Sequence, residues 1–347
     1  MILAGITVYH PDLERLRENI QAVFPQVEGL VLVVNGLMDD GEESARSLRE
    51  NLRGMLEDAQ EKACHSREKD GKVSSIEERR KKDSSIEAGK VDDACFGQVQ
   101  EKDPQERGQG REKPPYYIIE NSKNEGVAKA LNQMFHLAEE KGFDSVLALD
   151  QDSVCEPGLV ARYKELEGLD KIGMLSPLIL DRNYSQVPPH RGEVEEIDTC
   201  ITSGALCPVP VWQAAGGFYE PLFIDYVDYD FSARVREAGY KIYRVNGARL
   251  LHELGRGENH RFFGKRITVL NHPPMRKYYT VRNWKFYMQV HKDSIDYGYE
   301  KKKYAFYFLK TLLYEKGRGE KWKAMRKGSR DAEKLIEDFD RQGKAEK

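Results

Sequence analysis

The sequence has no pair of cysteines in a Cys-x-x-Cys pattern, and its five cysteines are an odd number. It has no secretory signal pattern at its start, and no apolar run of the roughly 18 residues that a membrane-spanning helix needs. These absences argue against a disulfide framework and against a transmembrane protein. We therefore expect a cytoplasmic protein with reduced thiols, in which any contact with a membrane is peripheral.

Two phosphate-binding fingerprints are also missing. The first apolar stretch is followed by YHPDLERL, where a dinucleotide-binding protein would carry a glycine-rich turn. A phosphate loop with Gly-Lys-Ser or Gly-Lys-Thr is absent as well. We therefore expect neither an NAD enzyme nor a phosphate-loop nucleoside triphosphatase. The net charge of −3 does not by itself indicate any class of binding partner.

What the chain does contain is an alternation of strand and helix patterns. The runs GITV, GLVLVVNG, YYIIEN and DSVLALD predict buried strands. GVAKALNQMFHLAEEKG predicts a helix that Gly142 ends, and an earlier helix is predicted by the helical spacing of Leu13, Leu16, Ile20 and Val23. Apolar strands alternating with helices predict an α/β fold whose mostly parallel central sheet has helices on both faces.

A charged insertion interrupts this alternation. Residues 42–113 are rich in both acids and bases and almost without aromatics. A helix in its first part is predicted by the spacing of Leu48, Leu52, Met55 and Leu56, and we expect the remainder to be disordered. The insertion is either tolerated surface length or a docking segment for a partner. The expected divisions are therefore one folded domain over 1–41 and 114–255, the insertion over 42–113, and a helical region over 256–347.

The C-terminal region is basic and aromatic. Residues 256–327 contain 19 Lys and Arg against 6 Asp and Glu. The stretch KKKYAFYFLKTLLYEKGRGEKWKAMRK predicts a basic amphipathic helix and its continuation. Such a helix suits an anionic membrane surface, which predicts a peripheral position on the inner face of the plasma membrane. A solvated charged face accounts for the same pattern equally well, and nucleic acid is not expected because no nucleic-acid-binding motif accompanies it.

Two aspartates one residue apart, Asp150 and Asp152, follow the apolar run VLAL. In open parallel sheets, ligands bind beyond the carboxyl ends of the strands. Two carboxylates on a tight turn there can hold Mg²⁺ or Mn²⁺ and leave positions for diphosphate oxygens. Aspartate is also a common turn residue. Alone, the pair is consistent with an ordinary turn or with a metal site.

With its surroundings, the pair resembles the family 2 glycosyltransferases of GT-A fold, and more closely their bacterial rhamnosyltransferase-like members. The matching motifs occur in the family's order: ITVYHP, VVNGL, NEGVAKALN, DQD, GGFYE, VDYDF, LLHELG and YYTVRN. The family has polar or acidic residues where this chain has Val34, Leu37 and Val227. The resemblance covers roughly residues 1–40 and 114–290. It implies a GT-A fold with a Rossmann-like nucleotide-binding half and an acceptor half.

The resemblance implies a role for each matching residue. Asp228 is implied as the catalytic base, and Asp152 and His252 as ligands of Mg²⁺ or Mn²⁺. The nucleotide-sugar side is implied to comprise Thr7, Tyr9, Asn35, Asn124, Gly126, Lys129, Asp150 and Gln151. The acceptor side is implied to comprise Ser203, Gly204 and Asp225.

Structural roles fit several of these residues too. Aspartate is a preferred N-cap, so Asp228 could begin the helix near it. His252 could be a core histidine hydrogen-bonded to the backbone. Arg234 is predicted to pair with Asp230 one helical turn away.

The implied function is inverting transfer of a sugar, with L-rhamnose favoured, from a dTDP- or UDP-linked nucleotide diphosphate sugar. The acceptor would be a saccharide or a lipid-linked saccharide, in the synthesis of surface or cell-wall polysaccharide. One alternative is a catalytically inactive binding module of the same fold, which Val34 and Leu37 favour. Another is a nucleotidyltransferase, which would need a glycine-rich basic loop after the first strand, and none is present.

Overall fold

The computed structural model describes residues 1–69, 98–101, 113–182, 189–253, 258–262 and 265–345. Its strands are β1 (Ile2–Val8), β2 (Gly29–Asn35), β3 (Gln98–Glu101), β4 (Tyr116–Asn121), β5 (Ser145–Asp150), β6 (Val154–Cys155), β7 (Ile172–Asp181), β8 (Val194–Ile197), β9 (Leu206–Pro208), β10 (Lys241–His252), β11 (Glu258–Phe262) and β12 (Lys265–Val269). Its α-helices are α1 (Leu13–Val23), α2 (Glu42–Lys69), α3 (Val127–Glu140), α4 (Leu159–Lys164), α5 (Val209–Ala214), α6 (Val227–Glu237), α7 (Pro274–Val290), α8 (Tyr297–Tyr314) and α9 (Arg318–Ala345).

One large sheet forms the centre of the described chain, in the order β3-β4-β2-β1-β5-β9-β7-β10-β6, with β8 also paired to β10. Its longest ladders are parallel: β4 with β2, β2 with β1, β1 with β5, and β7 with β10. Antiparallel strands join these two parallel groups at β9 and cover the edges at β3 and β6. The expectation of an α/β fold with a mostly parallel central sheet is confirmed.

Each face of the sheet has its own apolar core because side chains alternate along a strand. On β1, Ile2, Ala4 and Ile6 pack with α1, α2 and α4 on one face. Leu3 belongs to the opposite core, which contains the apolar side chains of α3, α5 and α6. Helices therefore cover both faces, as the strand composition predicted.

The first part of the charged insertion is a helix, as predicted. Leu52, Met55, Leu56 and Ala59 of α2 are buried and join the core beside α1. Gln98–Glu101 adds a strand at the sheet edge, antiparallel to β4. The composition did not predict this strand, because edge pairing uses backbone groups that every residue type except proline supplies. The expectation of disorder in the rest of the insertion falls on residues 70–97 and 102–112, which lie outside the described residues.

The described residues of the basic C-terminal region form three helices and a pair of antiparallel strands. Strand β11 pairs antiparallel with β12, and α7 packs lengthwise against α9. A buried ion pair joins Lys277 of α7 to Glu315, which follows α8, and Lys321 of α9 also bonds Glu315. The predicted basic helix is therefore two helices, separated near Gly317, whose φ is 65°. Within the described ranges, no helix is both long enough and apolar enough to cross a membrane.

Candidate active site

The candidate site lies where parallel strands end. Thr7 of β1 is in register with Asp150 of β5, so the loop after β1 and the aspartate turn leave the sheet side by side. Strand β10 runs parallel to β7 and ends at His252. It also pairs with β6, the two-residue strand that follows the aspartate turn, so that Leu251 is opposite Val154. This pairing brings His252 against residues that are about a hundred positions earlier in the chain.

Three side chains at this edge are placed to hold one metal ion. His252 Nε2 is 4.0 Å from Asp150 Oδ2, and His252 Nδ1 is 3.5 Å from Asp152 Oδ1. One ligand atom from each of the three lies within 4.8 Å of the others. An ion with bonds of about 2.1–2.5 Å can bridge such separations. The prediction that Asp152 and His252 are metal ligands stays a prediction, but the structure does bring them together, with Asp150 beside them.

Buried hydroxyls hold this group in place from below. Ser153 Oγ is 2.9 Å from His252 Nδ1 and 2.7 Å from Ser203 Oγ. Ser203 Oγ in turn accepts a hydrogen bond from the backbone N–H of Asp150 at 3.0 Å. The bond to Ser153 engages Nδ1, so His252 has Nε2 left to bind a metal. His252 is 9% exposed, so it is buried as the core-histidine alternative expected, but its hydrogen bond is to a side chain and not to the backbone.

The acceptor-side expectation for Ser203 and Gly204 does not fit their burial. Ser203 is 1% exposed, and its hydroxyl is engaged by the aspartate turn. Gly204 has a φ of 78°, and a Cβ there would lie 2.6 Å from Pro177. Both residues form a tight turn under the site. The tight turn is present as predicted. Its place beside the acceptor, which the resemblance implied, stays a prediction.

The two aspartates sit close enough for their charges to matter. Asp150 is 46% exposed and Asp152 30% exposed, so both are open to solvent ligands. Partial burial raises the pKa of Asp150, His252 opposes that rise, and the neighbouring Asp152 carboxylate adds to it. A divalent cation would relieve this repulsion. Two carboxylate oxygens suit Mg²⁺ or Mn²⁺, and the imidazole nitrogen favours Mn²⁺, because Mg²⁺ prefers an all-oxygen shell.

Gln151, between the two aspartates, fastens the turn to the loop after β1. Its Nε2 donates to the backbone oxygen of Tyr9 at 2.9 Å, and its Oε1 accepts from the backbone N–H of Tyr9 at 2.8 Å. Tyr9 itself is 41% exposed. The implied nucleotide contact of Gln151 remains a prediction, and in this structure both ends of its amide are occupied by the protein.

Asn35, at the end of β2, shapes the loop before α3. It is 2% exposed, and its Nδ2 donates to Asn124 Oδ1 at 3.1 Å and to the Gly126 oxygen at 3.0 Å. Its Oδ1 accepts from the N–H of Glu125 at 2.8 Å. Asn35 therefore supports the loop and does not face solvent. Lys129, one turn into α3, lies 4.0 Å from Glu220.

Two of the three positions that depart from the family pattern, both near the end of β2, are apolar and covered. Val34 is 2% exposed and Leu37 is 5% exposed, and both belong to the core on the α1 side. Neither side chain can donate or accept a hydrogen bond. A nucleotide bound at this edge would therefore depend on other polar groups nearby, such as those of the exposed loop at Tyr9.

Asp228 lies in the first turn of α6 and does not cap it. The helix begins at Val227 after Tyr226, and no side chain caps it. Asp228 Oδ1 accepts from the N–H of Tyr229 at 3.0 Å, so the capping hypothesis is wrong. Burial raises the pKa of Asp228 to about 7; backbone N–H groups oppose this rise, and the charges of Asp225 and Asp150 add to it.

The second aspartate of this segment has a structural role. Asp230 is fully buried and pairs with Arg234 one turn away, as predicted. It also accepts a hydrogen bond, 3.0 Å long, from His291, the residue just after α7. The contacts of Asp230 with Arg234 and His291 lower its pKa despite its burial. Asp230 therefore anchors α6 to the C-terminal helices.

Several residues of the site were not predicted from the sequence. Ser153 supports His252, and Asp225 is held by Thr280 Oγ1 at 2.7 Å and by Arg276 at 3.0 Å. Thr280 and Arg276 come from α7, far along the chain. The motif YYTVRN contains Thr280 and was noted as part of the resemblance, but nothing in it indicated which carboxylate it would meet.

Comparison with known proteins gives one curated match. The chain is 27% identical over 183 residues to the dTDP-rhamnosyl transferase RfbF of Shigella flexneri. The chain is similar to a rhamnosyltransferase. The match spans 48% of this chain and 61% of the relative's own length. It confirms the resemblance to rhamnosyltransferases seen in the motifs, while no model of a known protein family matches the chain.

Two solved structures are similar over most of this chain. S. aureus TarS, residues 1–349, aligns with a TM-score of 0.49 and 12% identity, covering 99% of this chain and 91% of that one. GalNAc-T7, solved with UDP, GalNAc and Mn²⁺, aligns with a TM-score of 0.47 and 13% identity, covering 88% of this chain and 53% of that one.

The metal site can be tested without a substrate. Asp152→Asn and Ser153→Ala should each weaken Mn²⁺ binding by about 10- to 100-fold, the first by removing a ligand charge and the second by releasing His252. Isothermal titration of Mn²⁺ measures both. The control is Asp170→Asn, which changes an exposed carboxylate outside the triad of Asp150, Asp152 and His252. Equal affinities in all four proteins would contradict the site.

Proposed function

We propose that this protein is an inverting, metal-dependent glycosyltransferase of family 2 and GT-A fold. It would transfer a sugar from a nucleotide diphosphate sugar, dTDP- or UDP-linked, to a saccharide or lipid-linked acceptor. One observation carries the proposal: one ligand atom from each of Asp150, Asp152 and His252 lies within 4.8 Å of the others, at the ends of parallel strands. The order of the motifs and the similarity to the dTDP-rhamnosyl transferase support it.

Asp228 has the properties of a general base. An acceptor hydroxyl must lose its proton as its oxygen attacks the anomeric carbon, and a nearby carboxylate can take that proton. Burial raises the pKa of Asp228 to about 7, which makes it a stronger base than an ordinary carboxylate and leaves it partly deprotonated near neutral pH. A single base and direct displacement imply inversion at the anomeric carbon. The two-carboxylate arrangement of glycosidases is not required, because the leaving diphosphate needs no acid.

The group formed by Asp150, Asp152 and His252 is suited to a diphosphate. Asp150, Asp152 and His252 would hold the divalent cation, which, when bound, neutralises charge that develops on the leaving diphosphate. Ser153 keeps His252 oriented, and Ser203 holds the backbone of Asp150. The site's own hydrogen bonds therefore preserve the ligand geometry with no help from substrate.

The sugar is proposed from similarity. The curated relative is a dTDP-rhamnosyl transferase, which favours dTDP-linked rhamnose as donor. The proposed product, surface or cell-wall polysaccharide, rests on the motif resemblance alone. A panel of dTDP- and UDP-sugars, scored by metal-dependent release of nucleotide diphosphate, tests this assignment. Hydrolysis of a UDP-sugar alone would replace the proposed donor and keep the proposed reaction.

A second candidate is an inactive binding module of the same fold. The apolar side chains of Val34 and Leu37 favour it, because they remove polar groups that the family places at the end of β2. This candidate predicts that nucleotide diphosphate binds and that no donor in the panel is turned over.

Asp228→Asn should lower the rate of sugar transfer by at least about 100-fold, because the amide cannot accept the proton. Isothermal titration should give unchanged affinity for dTDP in the presence of Mn²⁺. Asp198→Asn, which changes an exposed carboxylate next to Arg236, is the control and should keep the wild-type rate. Wild-type turnover in Asp228→Asn would remove this residue as the base.

The raised pKa of Asp228 predicts the pH dependence of transfer. The base is active when deprotonated, so kcat/KM should rise with pH through about 7 and level off above it. Steady-state rates between pH 5 and pH 9 at saturating Mn²⁺ measure this. Repeating the series at a tenfold higher Mn²⁺ concentration separates the base from pH effects on metal binding. A flat profile over this range would be inconsistent with Asp228 as the base.

We also propose that the protein binds the inner face of the plasma membrane through α8. The exposed side of this helix contains Tyr299, Leu309 and Leu313, at 59%, 42% and 47% exposure. Lys301 and Lys302, on the same helix, are exposed as well. Exposed leucines beside lysines suit an anionic lipid surface, since the apolar groups enter the interface while the ammonium groups meet headgroups.

Replacing Leu309 and Leu313 together by glutamate should reduce binding to vesicles that contain phosphatidylglycerol. The change removes apolar area and adds repulsion from anionic lipid. Sedimentation with vesicles of phosphatidylcholine, with and without phosphatidylglycerol, measures the loss. Met38→Glu, at an exposed apolar residue outside α8, is the matched control. If the double variant sediments as well as the wild type, α8 is not the membrane contact.

A further inference from the structure

The segment just before α6 has an unusual backbone. Phe223, Asp225 and Tyr226 have φ values of 66°, 62° and 64°, a region that side chains other than glycine seldom adopt. At Phe223 ψ is −63°, and the N–H of Ile224 donates to the Leu222 oxygen at 2.7 Å. This is a γ-turn of the rare, strained kind. Residues persist in such conformations only where their surroundings enforce them.

Hydrogen bonds to the backbone carbonyls enforce this conformation, and one side chain donates most of them. Asn283 Nδ2 lies 2.7 Å from the oxygen of Leu222, 2.8 Å from that of Ile224 and 2.9 Å from that of Asp225. The Phe223 oxygen accepts from the N–H of Val127, at the start of α3, at 2.6 Å. The carbonyls of residues 222–225 therefore all have partners, and three of them share one amide group.

Asn283 is itself held in a single orientation. It is fully buried, and its Oδ1 accepts a hydrogen bond from Arg282 Nε at 2.8 Å. With the amide oxygen engaged there, Nδ2 must point at the three carbonyls. Arg282 also donates to the oxygens of Pro221 and Leu222.

The same helix holds the side chain of the segment. Arg276, Thr280 and Asn283 are spaced so that they share one face of α7. Arg276 and Thr280 bind the Asp225 carboxylate, at 3.0 Å and 2.7 Å. One face of α7 thus holds both the backbone and the carboxylate of the segment that leads into α6, two residues before Asp228.

We propose that Asn283 is a positioning residue for the catalytic base: its amide enforces the strained segment 222–226 and thereby sets where Asp228 stands relative to the acceptor. This inference rests on the proposed function for its effect on the rate. Its structural part, control of the segment by Asn283, does not. Asn283 touches no group of the metal-capable triad, so metal and nucleotide binding should not depend on it.

The test compares Asn283→Ala with Asn246→Ala. Asn246 is also buried, at 5% exposure, and its Nδ2 donates to Gly192 and Glu195, so it is a matched loss of buried hydrogen bonds elsewhere. Asn283→Ala should lower kcat by about 10- to 100-fold, because small displacements of a reacting group are costly. Its affinity for dTDP with Mn²⁺ should change less than about twofold. The rate is expressed per dTDP-binding molecule, which corrects for any unfolded fraction.

Hydrogen–deuterium exchange provides a readout that needs no activity. Asn283→Ala should raise the exchange of amides within residues 222–230, and Asn246→Ala should not. Unchanged exchange there would overturn the proposal, whether or not the wild type transfers sugar. If the wild type turns over no donor while exchange rises as expected, the proposed function fails and the control of the segment stands.

A milder variant covers the case in which Asn283→Ala does not fold. Thr280→Val keeps the side-chain shape and removes one hydrogen bond to Asp225. It should lower kcat by a smaller factor than Asn283→Ala and leave dTDP affinity unchanged. If every α7 variant that folds keeps the wild-type kcat, the positioning role is wrong. It is also wrong if Asn246→Ala lowers kcat as much as Asn283→Ala does, because the effect is then one of general stability.

Discussion

Parallel pairing of β1 with β5 determines where the polar groups of the site can lie. Parallel strands end at the same edge of a sheet, so the loop after β1 and the turn after β5 must leave it together. The pairing of Thr7 with Asp150 sets this register. The same rule, applied to β7 and β10, brings His252 to that edge. A shift of one residue in any of these ladders would turn the side chains to the opposite face.

Beneath the exposed carboxylates lies a layer of buried polar groups whose hydrogen bonds are satisfied. Ser153, Ser203 and Asn35 are each nearly or fully covered, and each bonds to a residue of the site edge. A buried polar group is costly unless it is paired, so such groups keep one arrangement and hold their neighbours to it. The candidate site therefore has one fixed arrangement of hydrogen bonds beneath the aspartate turn, and a strained backbone in the segment before α6.

The C-terminal helices contribute side chains that hold the edge of the candidate site. Asp230 of α6 pairs with His291, and Asp225 pairs with Arg276. Asn283 binds the backbone carbonyls of Leu222, Ile224 and Asp225. Without α7, the strained segment would have unpaired carbonyls and α6 would lose a buried ionic partner. A region whose composition first indicates a surface role therefore also holds the segment before α6, some fifty residues earlier in the chain.

Much of the fold was predictable because local patterns decide it. Apolar runs predicted the central strands, and helical spacing predicted α1, α3 and the buried face of α2. The Arg234–Asp230 pair followed from helix geometry alone. Strand β3 was missed because edge pairing leaves little trace in residue type. The capping role considered for Asp228 was wrong because the helix begins at Val227, two residues earlier than a cap at Asp228 would require.

The sequence by itself determined the strands, the helices and the order of the polar motifs, because these depend on neighbours within a few residues. It also singled out Asp150, Asp152 and His252 through a known motif order. Only the tertiary structure decided that these three side chains meet, that Ser203 faces inward, and that α7 holds the segment before Asp228. Those outcomes depend on contacts between residues fifty to a hundred positions apart, which no local pattern specifies.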